Sequence, residues 1–187
     1  MSDSEKKSLE IAEELGTRLV VTDIEMATGK FYAIATWYDE ANITKYFEQV
    51  RTYEGIQNTY SDAYFATVVA NLHLRDGIFY SQYRLIYESS GTAGTLGDGT
   101  EIKYVKIFEI VKGAKIIGKA PPDTLLALYL PIVTNQGREY TILKQTKSDV
   151  EGNYEFIVAN SQDGTYGVRP TDLYTITDGV STWQTVV

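Results

Sequence analysis

The sequence predicts an α+β fold, with a mixed α/β N-terminal core followed by a small antiparallel β-sandwich or barrel-like domain. Helical periodicity and helix-capping residues lie mainly before Lys112, together with strand-like runs that can form a small sheet. After Lys112, β-rich runs such as "YEFIVAN" alternate with turn sequences such as "APPD" and "NQGR", a pattern typical of small all-β domains. We therefore expect a helix-rich α/β core at residues 1–112 and a β-rich peripheral domain at residues 113–187.

The chain opens with a predicted helix over "SDSEKKSLEIAEELG". A serine or aspartate can cap its start, and Gly16 can end it. Its apolar face consists of Leu9, Ala12 and Leu15. A short strand, "RLVVT" at residues 18–22, follows. The polar start carries no signal-peptide pattern, and both chain ends are expected to continue into a larger protein.

A second helix is predicted from Ile24 to Trp37, with Asp23 at the position of its N-cap. Gly29 lowers the helical propensity of this segment and can mark a kink or a bulge. A helix, a strand and a helix in that order are typical of an α/β core. A shorter helix is predicted for "NITKYFEQV", residues 42–50.

The clearest predicted helix covers "SDAYFATVVANLHLRDG", residues 61–77. Ser61 or Asp62 can cap it, and Gly77 can end it. Its apolar face consists of Tyr64, Phe65, Val68, Val69 and Leu72.

Two strand-like runs follow, at residues 83–89 and 102–111. The glycine-rich segment between them, "SGTAGTLGDGT", predicts a flexible hairpin loop. It lacks the "GK[ST]" sequence of a phosphate-binding loop, so no nucleotide site is expected there.

The residue types present exclude several classes of site. The chain has no cysteine and one histidine, His73, which excludes disulfides, thiolate zinc sites, cysteine nucleophiles and multi-histidine metal centres. His73 lies near the end of a predicted helix, where a cation is favourable, and we expect a structural role for it. The adjacent acids Asp39 and Glu40 are expected to form a solvated surface pair. No nucleophile, base and oxyanion donor can be assembled from these residues.

Net charge and hydropathy indicate a globular chain that is soluble by itself. The formal charge of −8 disfavours binding to nucleic acid or to an anionic membrane surface. The longest apolar run, "LLALYLPIV" at residues 125–133, is nine residues long, whereas a spanning helix needs roughly 20. We therefore expect no nucleic-acid partner and no membrane span.

Four residues of the second predicted helix recur at intervals of three, four and four positions: Asp23, Met26, Lys30 and Ile34. This spacing places them on one helical stripe. In a structural interpretation Asp23 is only an N-cap, and Met26 and Ile34 are core residues. Lys30 is then a solvated cation on an aliphatic stem. In a recognition interpretation, a lysine between two apolar side chains suits a ligand with one methyl and one hydroxyl group, such as a threonine side chain.

The segment that contains this stripe, "VVTDIEMATGKFYAIATW", resembles part of the C-terminal globular domain of archaeal oligosaccharyltransferase, the catalytic subunit of N-glycosylation. That family carries a helical motif written DxxKxxx(M/I), which occurs here in an expanded form, Asp23-xx-Met26-xxx-Lys30-xxx-Ile34. The resemblance continues through "RTYEGIQNTYSDAYFATVVANLHLRDG", "YVKIFEIVKGAKIIGKAPP" and "TNQGREYTILKQTKSDVEGNYEF". It is specific because it is long and collinear and covers most of the chain.

The resemblance implies an extracytoplasmic domain of an enzyme that transfers an oligosaccharide from a dolichol phosphate carrier to asparagine in Asn-x-Ser/Thr. This domain would help to hold the acceptor Ser/Thr, with Lys30 facing the pocket and Met26 and Ile34 on its apolar flank. Asp23 would fix the helix start or pair with Lys30. The implied partners are the acceptor polypeptide and a lipid-linked oligosaccharide bound through an absent membrane domain. No cofactor is implied for this chain, because a divalent metal, Mn or Mg, would have its ligands elsewhere in the full-length enzyme.

Two departures from the family pattern affect this expectation. The family's "WWDYG" pocket motif is absent, since the tryptophans are Trp37 and Trp183, so we expect the chain to start after that motif and to be inactive alone. The interval from Asp23 to Lys30 is seven residues, longer than in the compact family motif. A second hypothesis is a non-catalytic surface β-domain module that binds sugar or a partner protein. A free-standing hydrolase is poorly supported because the chain shows no catalytic constellation.

Overall fold

A computed structural model describes residues 2–38, 44–53, 55–162 and 166–187. Within these ranges the helices are α1 (Asp3–Glu14), α2 (Ile24–Ala27), α3 (Gly29–Tyr38), α4 (Asp62–Phe65) and α5 (Val68–Arg75). The strands of the first half are β1 (Leu19–Asp23), β2 (Phe47–Thr52), β3 (Gly55–Tyr60), β4 (Tyr83–Glu88), β5 (Thr92–Thr95), β6 (Glu101–Lys103) and β7 (Val105–Ile110). Those of the second half are β8 (Ala114–Lys119), β9 (Leu125–Val133), β10 (Glu139–Lys147), β11 (Asn153–Val158), β12 (Arg169–Pro170), β13 (Tyr174–Thr177) and β14 (Thr182–Thr185).

The first helix begins and ends near the residues predicted for it. Ser2 is its N-cap and accepts a hydrogen bond from the Glu5 N–H over 3.2 Å. Gly16, with φ of 65°, follows the helix in the left-handed conformation that glycine adopts without steric cost. Of the predicted apolar face, Ala12 is buried, whereas Leu15 is 74% exposed. None of the helices in the described ranges has both the length and the hydropathy needed to cross a bilayer.

The strands pair only in antiparallel fashion within the described residues, in the ladders β1–β7–β4, β10–β9–β13–β14 with β12 on β9, β8–β11, β2–β3 and β5–β6. The predicted α+β class is confirmed, and the described strands form no closed barrel. The opening helix–strand–helix order does not build a parallel unit, because β1 pairs with the distant strand β7. Alternation along β9, buried at every second position from Leu126 to Ile132, gives the second half its core.

Two hydrophobic clusters hold the fold together. The larger one contains residues from both sides of Lys112, including Leu72, Tyr80, Leu85, Phe108, Leu126, Leu128, Ile132, Tyr154, Phe156 and Ile176. The smaller one, which lies beneath α2 and α3, is built on Ala27, Tyr64, Ala70 and Leu74. Because the larger cluster is shared, the predicted domains 1–112 and 113–187 meet in a common core, and the boundary between them stays a prediction.

The helix predicted at residues 42–50 is wrong from Phe47 onwards, although residues 44–45 form a short 3₁₀ turn. Phe47–Thr52 is the strand β2, paired with Gly55–Tyr60 in a hairpin. Residues 42 and 43 of the predicted helix lie outside the described ranges, as do Asp39 and Glu40. The Phe47 ring packs 5.4 Å from that of its cross-strand neighbour Tyr60. Such cross-strand packing stabilises a strand but leaves no local signal in the sequence.

The helix predicted at residues 61–77 is instead two short helices. Ser61 caps α4 as predicted, accepting a hydrogen bond from the Tyr64 N–H. The chain leaves the helical conformation at Thr67, which caps α5 by accepting from the Ala70 N–H. A threonine can compete in this way with the helical backbone. The glycine-rich segment after β4 also contains regular structure, because β5 lies within it and pairs with β6, which follows it directly.

Candidate functional site

The start of α2 is fixed by Asp23. Its Oδ1 accepts a hydrogen bond from the Met26 N–H over 2.8 Å, which satisfies one of the free amides of the first helical turn. Its Oδ2 lies 3.7 Å from Lys30 Nζ, an exposed ion pair that joins α2 to α3. The Ile24 N–H donates to the Tyr104 carbonyl over 3.0 Å, so this end of α2 is also attached to the neighbouring chain.

The helical segment breaks at Thr28, one residue before the kink predicted at Gly29. Thr28 has φ of −130° and ψ of −97°, outside the α-helical region. Its N–H donates to the Glu25 carbonyl over 3.2 Å and its hydroxyl to the Ile24 carbonyl over 2.7 Å. The side chain of Thr28 therefore supplies a donor to the end of α2 at the point where the helix stops.

The stripe of Asp23, Met26, Lys30 and Ile34 is accessible to solvent. Met26 is 44% exposed and Ile34 is 55% exposed, so the interpretation of these two as core residues is wrong. The Lys30 side chain is 58% exposed. Helix α3 has no buried residue although it is largely apolar. The structure thus leaves the cation and both apolar side chains exposed to solvent, and their role in recognition stays a prediction.

An aromatic cluster packs against the inner side of α3. The Phe31 ring of α3 packs edge-on against Tyr46 at 5.3 Å and against Tyr64 at 5.0 Å between centroids. Tyr64 also stacks on Tyr60 at 3.9 Å. Burial raises the pKa of the Tyr64 phenol well above its ordinary value, so this group keeps its proton, and it donates a short hydrogen bond to the Ala27 carbonyl. These contacts tie α2 and α3 to α4 and to the β2–β3 hairpin.

His73 makes a hydrogen bond to β1, the strand that ends at Asp23. It is fully buried in α5, and its Nδ1 shares a 3.0 Å hydrogen bond with the Thr22 hydroxyl, directly before Asp23. Burial, reinforced by the positive charge of Lys106, lowers the pKa of His73 to about 4. A helix C-terminus favours a cation, but here desolvation outweighs the helix dipole, and His73 is neutral at pH 7. The structural role predicted for it agrees with this environment.

A buried network of two acids and two bases lies next to His73, at the C-terminal end of α5. Arg138 donates from Nη1 to Asp76 Oδ2 over 2.8 Å and from Nη2 to Asp76 Oδ1 over 2.7 Å. Its Nη2 also donates to Glu88 Oε2 over 2.5 Å. Lys106 Nζ donates to Asp76 Oδ1 over 2.7 Å. Burial lowers the pKa of Lys106 while the Asp76 carboxylate opposes that shift, and the side chains of Asp76, Glu88 and Lys106 are at most 4% exposed.

This network links the two predicted domains, and sequence reasoning missed it. Arg138 and the Thr134 hydroxyl, which donates to Glu88 Oε1 over 2.6 Å, come from the turn between β9 and β10. Glu88, Lys106 and Asp76 come from the N-terminal half. The available signal was the presence of two charged residues in each of two otherwise apolar strands, "YRLIYE" and "VKIFEI", since charges at buried positions are nearly always paired.

A separate cleft of about 960 Å³ lies between the end of α5, the β5–β6 hairpin and β10, and its lining includes Phe79, Asp98 and Tyr140. None of the four stripe residues lines this cleft. For a metal, the donor set does not fit: in the part of the chain that the structure describes, no three His, Cys, Asp or Glu side chains come together as a ligand group. We therefore derive no chemistry through a metal in this chain.

Comparison with known proteins finds a matching domain model and a related glycotransferase. Residues 113–187 match the archaeal glycosylation protein B long peripheral domain. Over 248 aligned residues, the chain is 29% identical to dolichyl-phosphooligosaccharide-protein glycotransferase 3 of Archaeoglobus fulgidus, an alignment that covers 90% of this chain and 28% of the relative. The chain therefore spans less than a third of that relative's length.

Two solved structures have the same fold as this chain over its whole length. The archaeal oligosaccharyltransferase AglB from Archaeoglobus fulgidus, in complex with an inhibitory peptide and a dolichol-phosphate, matches with a TM-score of 0.84 at 25% identity, covering 100% of this chain and 30% of that one. The Archaeoglobus fulgidus oligosaccharyltransferase tethered with an acceptor peptide containing the NVT sequon matches with a TM-score of 0.83 at 24% identity, covering 100% and 31%. The resemblance predicted from the sequence is confirmed.

Proposed function

We propose that this chain, which is related to the C-terminal globular region of archaeal oligosaccharyltransferases, contributes to protein N-glycosylation by helping to bind the acceptor Ser/Thr of Asn-x-Ser/Thr. The observation that supports this most directly is that Met26, Lys30 and Ile34 are all exposed to solvent, with Lys30 brought to 3.7 Å from Asp23 across the break between α2 and α3. The relative solved with an NVT peptide gives further support, because it has this fold.

The stripe has the chemistry that a threonine side chain requires. Lys30 has three N–H donors, and the long contact with Asp23 orients its ammonium group while leaving donors for an acceptor hydroxyl. Met26 and Ile34 offer apolar contact to a methyl group. A peptide that lacks the hydroxyl forgoes the hydrogen bond from the ammonium group, so discrimination rests on that one contact.

The proposal assigns the transfer reaction itself to polypeptide outside this chain. The lipid-linked oligosaccharide, the membrane domain and the Mn or Mg ligands belong to that remainder, and the present chain lies on the extracytoplasmic face. Residues 1–187 alone are then expected to form no glycopeptide from an Asn-x-Thr peptide and a lipid-linked donor. Turnover by the isolated chain in that assay contradicts this assignment.

Lys30→Ala tests the role of the stripe in the assembled transferase that contains this chain. We expect KM for an Asn-Val-Thr peptide to rise by roughly fivefold, since one charge-assisted hydrogen bond at an exposed site contributes about 1 kcal/mol. The unfolding transition should not move, because the Lys30–Asp23 pair is exposed.

Lys115→Ala is the matched control, because Lys115 also makes an exposed ion pair, with Glu155 at 3.0 Å, on a distant strand. Its KM should equal that of the unmodified enzyme. An equal KM for the Lys30→Ala variant and the control means that Lys30 is only a surface lysine, and it removes the stripe from acceptor binding.

A further inference from the structure

Tyr64 makes a hydrogen bond to the backbone of α2, in addition to the ring contacts of the aromatic cluster. It is fully buried beneath the stripe, and its phenol oxygen donates to the carbonyl of Ala27, the last residue of α2. Ala27 is itself fully buried, so water cannot replace this donor. A buried carbonyl without a partner is costly, and the phenol removes that cost only while the Ala27 carbonyl points towards it.

The hydrogen bond from Tyr64 to Ala27 lies directly next to the break between α2 and α3, so it can stabilise that break. Ala27 directly precedes Thr28, where the backbone leaves the helical conformation. In an uninterrupted helix the Ala27 carbonyl would accept the N–H of Phe31, four residues later. With Tyr64 as its partner, the carbonyl is satisfied without a continuous helix, so the bent arrangement of α2 and α3 is stabilised against a straight one.

The bend determines how the stripe is assembled. Met26 lies on α2, whereas Lys30 and Ile34 lie on α3, so the angle between the two helices sets the relative placement of the cation and the apolar side chains. The 3.7 Å contact between Asp23 Oδ2 and Lys30 Nζ spans this break, because Asp23 caps α2 and Lys30 lies in α3.

We propose that Tyr64 is a positioning residue for acceptor recognition: its hydrogen bond to Ala27 fixes the bend between α2 and α3 and thereby the joint placement of Met26, Lys30 and Ile34. This inference rests on the proposed function. Tyr64 does not touch the acceptor, and it acts through the backbone of α2.

Tyr64→Phe tests the inference, because it removes the hydroxyl and keeps the ring in the aromatic cluster. In the assembled transferase, we expect KM for an Asn-Val-Thr peptide to rise roughly fivefold, as for the loss of one net hydrogen bond, with kcat at saturating peptide changed less than twofold. In the 187-residue chain, amide hydrogen exchange in α3 should become faster, since its bend is no longer fixed.

Tyr174→Phe is the matched control for lost stability. Tyr174 is also fully buried, and its phenol donates to a backbone carbonyl, that of Asn160, over 2.6 Å, far along the chain from the stripe. Both variants should unfold more easily, but only Tyr64→Phe should raise KM. If the two variants change KM equally, Tyr64 has a structural role alone and the inference is overturned.

A double variant separates this inference from the function on which it rests. If Tyr64 acts through the stripe, adding Tyr64→Phe to a Lys30→Ala, Met26→Ala background should raise KM by less than it does in the unmodified enzyme. Unchanged KM in the Lys30→Ala, Met26→Ala variant contradicts the proposed function itself. If KM rises in the Lys30→Ala, Met26→Ala variant but Tyr64→Phe raises KM no more than Tyr174→Phe does, the proposed function stands and the positioning role of Tyr64 is rejected.

Discussion

Replacing Arg138 with methionine is expected to lower the free energy of unfolding of the chain by roughly 3–5 kcal/mol, the range found when one partner of a buried ion pair is removed. The guanidinium is held by both Asp76 and Glu88, and its side chain is only 11% exposed. Without it, two buried carboxylates face the single cation of Lys106. The uncompensated charge, more than the lost contacts, produces the effect.

Urea unfolding of the variant at pH 7 measures this change. Lys115→Met is the control, because its ion pair with Glu155 has side chains that are 65% and 43% exposed, and exposed pairs contribute about 0–1 kcal/mol. Equal losses in the two variants would mean that the buried network contributes no more than an exposed pair.

A second substitution tests the charge argument directly. Adding Glu88→Gln to Arg138→Met leaves one carboxylate, Asp76, beside one cation, Lys106, 2.7 Å apart. The double variant should therefore be more stable than the sum of the two single losses predicts. Strictly additive losses would show that shape, and not charge balance, determines the cost of removing Arg138.

The fold was predictable wherever local signals decide it. Caps at Ser2, Asp23 and Ser61, together with the alternation along β9, each specify an element from residues close in the chain. The failures share a different cause. The strand β2 depends on ring contacts with residues across a hairpin, and the break at Thr67 depends on a side chain that can either continue a helix or cap the next one.

For the candidate site too, features set by local spacing were predictable, and features set by residues distant in the chain were not. Spacing alone predicted that Asp23, Met26, Lys30 and Ile34 share one side of a helical segment, and the Asp23–Lys30 contact agrees with it. Spacing could not reveal that the segment breaks at Thr28 or that Tyr64 reaches Ala27, since these residues are 37 positions apart. It also could not show that His73 is buried, because helix-end electrostatics favour a cation wherever solvent is present.

Stability is expected to fall between about pH 6.5 and pH 4 because of His73. The pKa of this buried imidazole is about 4, against 6.5 for an ordinary histidine. In this interval the unfolded chain binds a proton at His73 and the folded chain does not. Stability is therefore fully present above pH 6.5 and decreases as the pH falls, by up to roughly 3 kcal/mol at pH 4.

Other groups also affect the protonation of His73 and the acid limb of the profile. Burial is the main cause of the lowered pKa of His73, and Lys106 adds to it, while a hydrogen bond with the Lys103 backbone and the charges of Asp23 and Asp76 oppose it. The carboxylates of Asp98 and Asp149, whose pKa values are lowered by hydrogen bonds, lose their contributions at more acidic pH. The contribution of His73 must therefore be measured as a difference between two variants.

His73→Asn provides that difference. The asparagine side chain can place a polar atom near the position of Nδ1 and keep a hydrogen bond to Thr22, but it does not titrate. We expect unfolding free energies of the two proteins, measured in urea at each pH, to converge as the pH falls from 6.5 to 4, because the unmodified chain loses stability there and the variant does not. Parallel profiles would show that His73 is protonated equally in both states and that its burial has no consequence for acid stability.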